Sequence, residues 1–154
     1  DHMLIDVSAG AEDGSLNIIS ASDRVLVVLV NEPTSFMDAF TLIKACHLEF
    51  GYKEFCVTIN MANSEIQAKQ DFARFKKIIT NFYDINLTYV GYIQSRNIIK
   101  QSIVKRRPVV LDNKNSDIIN AFKNIYANIL TTKINYHSGI KFFYKNKVEK
   151  TREA

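Results

Sequence analysis

The sequence predicts an α/β fold: a mostly parallel sheet whose strands are joined by crossover helices. Two observations carry this expectation. Short segments rich in β-branched residues alternate along the chain with longer segments of three- and four-residue apolar periodicity, the pattern of strand–helix–strand units. The strand candidates are nearly continuous in apolar character rather than alternating, as strands covered on both faces are. With 154 residues, 47% of them apolar, the chain has enough material for one hydrophobic core.

Taken in order, the strand candidates are Leu4 to Val7, Val25 to Val30, Phe55 to Ile59, Leu87 to Ile93 and a short Val109-Val110-Leu111. Helices are expected between them. Ser35 with Asp38 three residues on reads as a capping box, and Ser95 and Ser116 stand where each can cap the run that follows. Ile66, Phe72, Phe75, Ile78, Ile79 and Phe82 form one apolar stripe, with Lys69, Arg74, Lys76 and Lys77 on the polar side. Ile118, Ile119, Phe122, Ile125, Tyr126, Ile129 and Leu130 form a second. Both stripes read as core packing. No internal repeat or low-complexity tract is present.

Twenty Lys and Arg against sixteen Asp and Glu give a formal charge of +4, compatible with phosphates or lipid surfaces but too mild to demand nucleic acid. Nucleic-acid binding would need a basic face interleaved with exposed aromatics, and most aromatics here fall on core stripes. Cys46 and Cys56 lie on different elements with no metal-ligand spacing around them, so both are read as reduced core residues of a cytoplasmic protein. His47 has no ligand partner at suitable spacing. No apolar run reaches the roughly 18 residues of a spanning helix.

The first apolar segment ends in Asp6-Val7-Ser8-Ala9-Gly10. By itself this is an ordinary strand-to-loop exit. In P-loop proteins the same arrangement sets a carboxylate towards magnesium and a glycine N–H towards the terminal phosphate. Two further motifs follow in register, Asn17-Ile18-Ile19-Ser20-Ala21-Ser22-Asp23 and Glu32-Pro33-Thr34-Ser35-Phe36-Met37-Asp38-Ala39. With them, residues 1 to about 130 resemble the MinD/ParA-type ATPases, and most closely the flagellar-number regulator branch (FlhG, FleN or YlxH). No G-x-x-x-x-G-K-[ST] loop occurs in the chain. The chain is therefore expected to be the carboxyl-terminal half of a longer protein and to be inactive alone, whereas the intact parent is expected to be an ATPase.

The resemblance implies roles residue by residue. Asp6 would hold magnesium, directly or through water, and with Gly10 would form the catalytic pair; Ala9 and Gly10 would sense the terminal phosphate. Asn60, in Val57-Thr58-Ile59-Asn60-Met61, stands where the family places an adenine-reading asparagine, although Met61 replaces the arginine that follows it. An asparagine amide offers both the donor and the acceptor an adenine edge needs, and read without the resemblance it caps a strand. Gln94, in Gly91-Tyr92-Ile93-Gln94, occupies the position of a family proline in a second base-side segment, and Arg96 that of an aspartate. Glu32, Pro33 and Asp38 would face partners.

ATP and Mg²⁺ would be the parent's cofactors, a homodimer its working form, and a flagellar placement GTPase, C-ring proteins or a transcription activator its partners. A cell-division or partitioning relative is the alternative within the family; Glu32 to Ala39 argues against it. From another class comes a non-catalytic interaction module, docking through the Phe36 to Phe50 helix or the basic cluster Lys100, Lys105, Arg106 and Arg107. The resemblance to the nucleotide-binding domain ends near Leu130, which sets residues 131–154 apart as a tail. There Ile140, Phe143 and Tyr144 share a helical face with Lys141 and Lys145 beside it. From Gly139 on, five basic and two acidic residues leave +3. A basic amphipathic helix at the inner face of the cell membrane and a solvated end both fit this pattern.

Overall fold

The computed structural model describes residues 2–8, 13–111 and 116–135. Its core is a three-stranded parallel sheet in the order β1-β2-β3, built from β1 (Leu26–Leu29), β2 (Glu54–Ala62) and β3 (Asn86–Gln94). The helices are α1 (Asp13–Ser20), α2 (Pro33–Phe50), α3 (Glu65–Thr80), α4 (Asn97–Val104) and α5 (Ser116–Thr131). Crossovers α2 and α3 return the chain to the amino end of the sheet each time, so all three strands end on one edge. The expected α/β class and the three middle strands are borne out.

β2 is the central strand, and its side chains alternate between two cores. Phe55, Val57 and Ile59 join Ala39, Ile43, Cys46, Ala68, Phe75 and Ile79 of α2 and α3 on one face. Cys56 faces the other way, to a smaller cluster with Val90, Ile93 and Ile125, on which Ile99 and Ala121 pack. This two-sided burial is why the strand sequence lacks a polar alternation. Gly91, at φ +140°, lets α5 approach: a Cβ there would lie 2.7 Å from Cγ1 of Ile125. The chain stays on the sheet after α5, for the Asn135 amide accepts from the N–H groups of Lys53 and Glu54 and donates to the Glu54 carbonyl.

Several local expectations need correction. Residues 4–7 form no strand: Met3 and Leu4 are 84% and 93% exposed, and no part of the three-strand ladder reaches them. A strand exists only against a neighbour, and this segment has none among the described residues. Val109–Leu111 is a 3₁₀ turn, not a strand: directly after Pro108 the chain coils, with the Leu111 N–H donating to the Pro108 carbonyl. Ser35 does not cap α2. Pro33 suits the first helical position, so the helix starts earlier with Glu32 as N-cap, and the Ser35 hydroxyl accepts from the Val30 N–H instead. Ser95 likewise is not a cap: Arg96 precedes α4, and the Ser95 N–H donates to the Ala62 carbonyl. On α3 the buried stripe is Ala68, Asp71, Phe75 and Ile79, while Ile66 and Phe82 are exposed.

Candidate functional site at the carboxyl edge of the sheet

Open parallel sheets bind ligands outside the carboxyl ends of their strands, because the loops there emerge from a rigid base. Here that edge brings together Val30 to Glu32 after β1, Asn60 to Asn63 at the end of β2, and Gln94 to Arg96 after β3. At its middle Asn60 is half-buried, with its Oδ1 accepting from the Met61 N–H at 2.9 Å. Met61 takes the left-handed conformation, φ 56°, which a non-glycine residue adopts at a cost, and the ladder shifts register between Ile59 and Ala62. The strand thus ends in a sharp local turn with Asn60 at its rim.

Gln94 has a different task from a free amide. Its Nε2 donates to the Asn63 carbonyl at 3.0 Å, and its Oε1 accepts from Nε and Nη2 of Arg96 at 3.2 and 3.1 Å. Arg96 in turn pairs with Asp117 of α5 at 2.5 Å. One bonded row therefore ties the ends of β2 and β3 to the opposite face of the sheet. Asn63 is also held from the α3 side: its N–H donates to Gln67 Oε1, and the Gln67 N–H donates to the Ser64 hydroxyl, which caps α3. The Ser64/Gln67 spacing is legible in the sequence as a capping signal and marks this turn better than Ser35 marked the earlier one.

On the β1 side, Arg74 of α3 donates to Oδ1 of Asn31 at 3.0 Å and pairs with Asp71, which is 1% exposed. The second carboxylate oxygen of Asp71 is buried without a hydrogen-bond partner. A polar residue on the buried side of a helical stripe was the available signal for this pair. Glu32, Pro33 and Asp38 are exposed at the start of α2.

A groove of ≈ 530 Å³ runs along β3 between α3 and α5, lined by Tyr89 to Gln94, Arg96 and a row of asparagines, Asn120, Asn124 and Asn128. It contains Gln94 but neither Asn60 nor Asp6. The Tyr89 hydroxyl is buried without a partner, and burial, followed by the charge of Glu65, pushes it up to about 12.

Asp6 is exposed and makes no hydrogen bond or ion pair among the described residues. Because residues 4–7 are not a strand, the expected delivery of this carboxylate to the sheet edge is not present. Ala9 and Gly10 lie outside the described residues, as do Ile140, Lys141, Phe143, Tyr144 and Lys145. Among the described residues no three His, Cys, Asp or Glu side chains cluster at metal-binding range. Asp6 alone offers one exposed carboxylate, so the described residues do not fit a magnesium–phosphate centre by themselves. What they form is a hydrogen-bonded carboxyl edge around Asn60 and Gln94.

No family model matches the chain. Curated relatives do. It is 35% identical to the antiactivator FleN of Pseudomonas aeruginosa over 109 residues, which is 71% of this chain and 39% of that protein. It is 24% identical to the flagellum site-determining protein YlxH of Helicobacter pylori, covering 94% of the chain and 51% of the relative. It is also 24% identical to the septum site-determining protein MinD of Bacillus subtilis, covering 84% and 47%. A three-stranded parallel sheet with crossover helices, together with these matches, defines the class: the chain belongs to the MinD/ParA-type family. Within that family it falls in the flagellar-number regulator branch. The chain spans between 39% and 51% of the length of these relatives.

Proposed function

We propose that this chain supplies the base-side half of the ATP site in a MinD-like ATPase that regulates flagellar number and placement. The observation that carries this reading is the bonded carboxyl edge, with the Asn60 amide at the end of the central strand and its neighbours locked by Gln94, Arg96 and Arg74. The side-chain oxygen of Asn60 accepts from the Met61 N–H and its NH₂ has no partner among the described residues, which suits a group that reads a base edge. In the longer protein Asp6, Ala9 and Gly10 would complete the site towards magnesium and the terminal phosphate, with Asp6 and Gly10 as its catalytic pair. ATP-dependent homodimerisation would then couple the site to partners met through Glu32, Pro33 and Asp38. The names of the relatives, an antiactivator and a flagellum site-determining protein, support partners of the flagellar type: a placement GTPase, C-ring proteins or a transcription activator. Among the described residues no helix is long and apolar enough to cross a membrane. A cytoplasmic protein, held peripherally at the membrane by residues 139–154, completes the reading.

Calorimetric titration with Mg-ATP tests it. The longer protein should bind ATP, and Asn60→Ala should weaken that binding about tenfold, the loss of roughly one hydrogen-bonding group. This chain alone should show no tight site, because the phosphate cradle is not in it. A micromolar site on this chain that Asp6→Ala abolishes would overturn the division of labour. A second reading, a non-catalytic interaction module, is supported by α2, where Met37 and Leu48 are exposed at 64% and 63%. Undiminished partner binding by this chain without nucleotide would favour it.

A further inference from the structure

We propose that the turn from α4 into Val109–Leu111 is a contact surface for an anionic lipid bilayer, separate from the nucleotide edge and from residues 139–154. Four large aliphatic side chains stand out from it into solvent. Ile103 and Val104 are 72% and 83% exposed, Leu111 is 64% and Val110 is 41%. Isolated exposed aliphatics need no explanation, but four around one turn form a contiguous apolar surface.

Along the segment itself the charge has one sign. From Asn97 to Leu111 the chain carries Lys100, Lys105, Arg106 and Arg107 and no acidic residue. All four cations are exposed, and none takes part in the ion pairs of the described residues. The turn also has a fixed shape. The Arg106 N–H donates to the Ile103 carbonyl and the Arg107 N–H to the Ser102 carbonyl, both at 3.0 Å, and the Leu111 N–H donates to the Pro108 carbonyl at 3.1 Å. Arg106 adopts φ 50°, so the chain reverses there and presents the aliphatics on either side of the cations.

An anionic bilayer is the occupant this chemistry fits. The apolar side chains project from a turn rather than line a hollow: neither the groove along β3 nor the smaller cleft near Arg24 includes any residue of 97–111. Projecting aliphatics enter the head-group boundary, and unpaired Lys and Arg beside them meet lipid phosphates. Ile99, one helical turn before Ile103 on α4, is partly buried against the smaller core cluster, which anchors the start of this segment to the domain.

Sedimentation of the full chain with vesicles tests the inference. One set is phosphatidylcholine with about a third phosphatidylglycerol, and the other is phosphatidylcholine alone. The chain should bind the first set at low salt and not the second. Lys105→Gln/Arg106→Gln/Arg107→Gln should weaken binding about a hundredfold, from roughly a sixfold contribution per cation near an anionic surface. Ile103→Ser/Val104→Ser, two exposed substitutions that leave the core intact, should weaken it at least about tenfold. Phe143→Ser/Tyr144→Ser reports the tail, and both turn variants must lose affinity in that background as well. A polarity-sensitive thiol probe on Val104→Cys gives an independent readout, since Cys46 and Cys56 are buried. Its emission should shift to the blue on anionic vesicles. Three results would each overturn the proposal: no binding to anionic vesicles, unchanged binding by the turn variants, or a probe that stays in water while vesicles capture the protein through another segment.

Discussion

Gly91→Ala should be among the most damaging small substitutions in this chain, and the structure says why. Gly91 sits in β3 at φ +140°, a conformation that costs an L side chain about 1–2 kcal/mol. The added methyl would also stand 2.7 Å from Cγ1 of Ile125, about an ångström inside ordinary contact, and overpacking of that kind costs about 1–3 kcal/mol. Alanine reduces unfolded-chain entropy and returns about 0.4–1 kcal/mol. The net expected loss is about 1–5 kcal/mol, read by urea unfolding with the slope unchanged. Ile125→Ala removes the clashing atoms, so Gly91→Ala/Ile125→Ala should cost at least about 1 kcal/mol less than the sum of its parts. A Gly91→Ala variant within about 0.5 kcal/mol of the parent, or an additive double variant, would refute the claim that glycine is there to admit α5.

Stability should also fall in alkali. Burial, then the charge of Glu49, pushes the Cys46 thiol up to about 11 from 9.0, and burial pushes the Tyr52 hydroxyl up to about 12 from 10.0. The folded state therefore keeps protons that the unfolded state has lost, so the Cys46 contribution declines between pH 9 and 11 and that of Tyr52 between pH 10 and 12. Cys46→Ala should flatten the first decline, on the order of 2 kcal/mol, in unfolding curves recorded across that window. Tyr52→Phe removes a buried hydroxyl that donates within the cluster of carbonyls from Ile19, Ser20 and Ser22 at the carboxyl end of α1; it should cost about 1–3 kcal/mol at neutral pH by thermal or urea unfolding. Arg74→Met strands the buried Asp71 carboxylate and should cost about 2–4 kcal/mol, whereas Asp71→Ala/Arg74→Met should recover part of that loss in the same assay.

What the sequence made legible was whatever rests on local pattern and two-sided burial. Val25 to Val30, Phe55 to Ile59 and Leu87 to Ile93 each became a strand, because a continuous branched run between two helices has few other ways to be buried. Hydrophobicity alone misled at Leu4 to Val7 and at Val109-Val110-Leu111, which share the composition of strands but lie outside the three-strand ladder of the described residues. Starts of helices were misread where backbone chemistry outranked side-chain capping, as Pro33 does over Ser35. At the candidate site, Asn60 and Gln94 stood out through resemblance, but the bonds that fix their surroundings join residues far apart in sequence. Arg96 to Asp117 and Arg74 to Asn31 are pairs that no spacing rule relates.

This division has a physical consequence for the site. The portion around Asn60 and Gln94 belongs to three strands that pair in chain order through local crossovers, and its members are bonded to one another across the edge. Such an edge forms with the core and is as stable as the core. Asp6 belongs to a segment joined to the rest at its two ends: His2 Nδ1 lies 3.1 Å from the Tyr126 hydroxyl, and at the other end Val7 is half-buried on the larger core and the Ser8 and Ser15 hydroxyls are 3.3 Å apart. The carboxylate can be fixed in place only by something that pairs with residues 3–7 and so supplies the hydrogen bonds a strand requires. Order at Asp6 and order at Asn60 are therefore separable. Hydrogen exchange should find the amides of Val57 to Ile59 protected to the level of global unfolding and those of Leu4 to Val7 exchanging at nearly the open-chain rate. Equal protection of the two segments in this chain would show that residues 4–7 already have a neighbour, and the case for a site in two separable halves would fall with it.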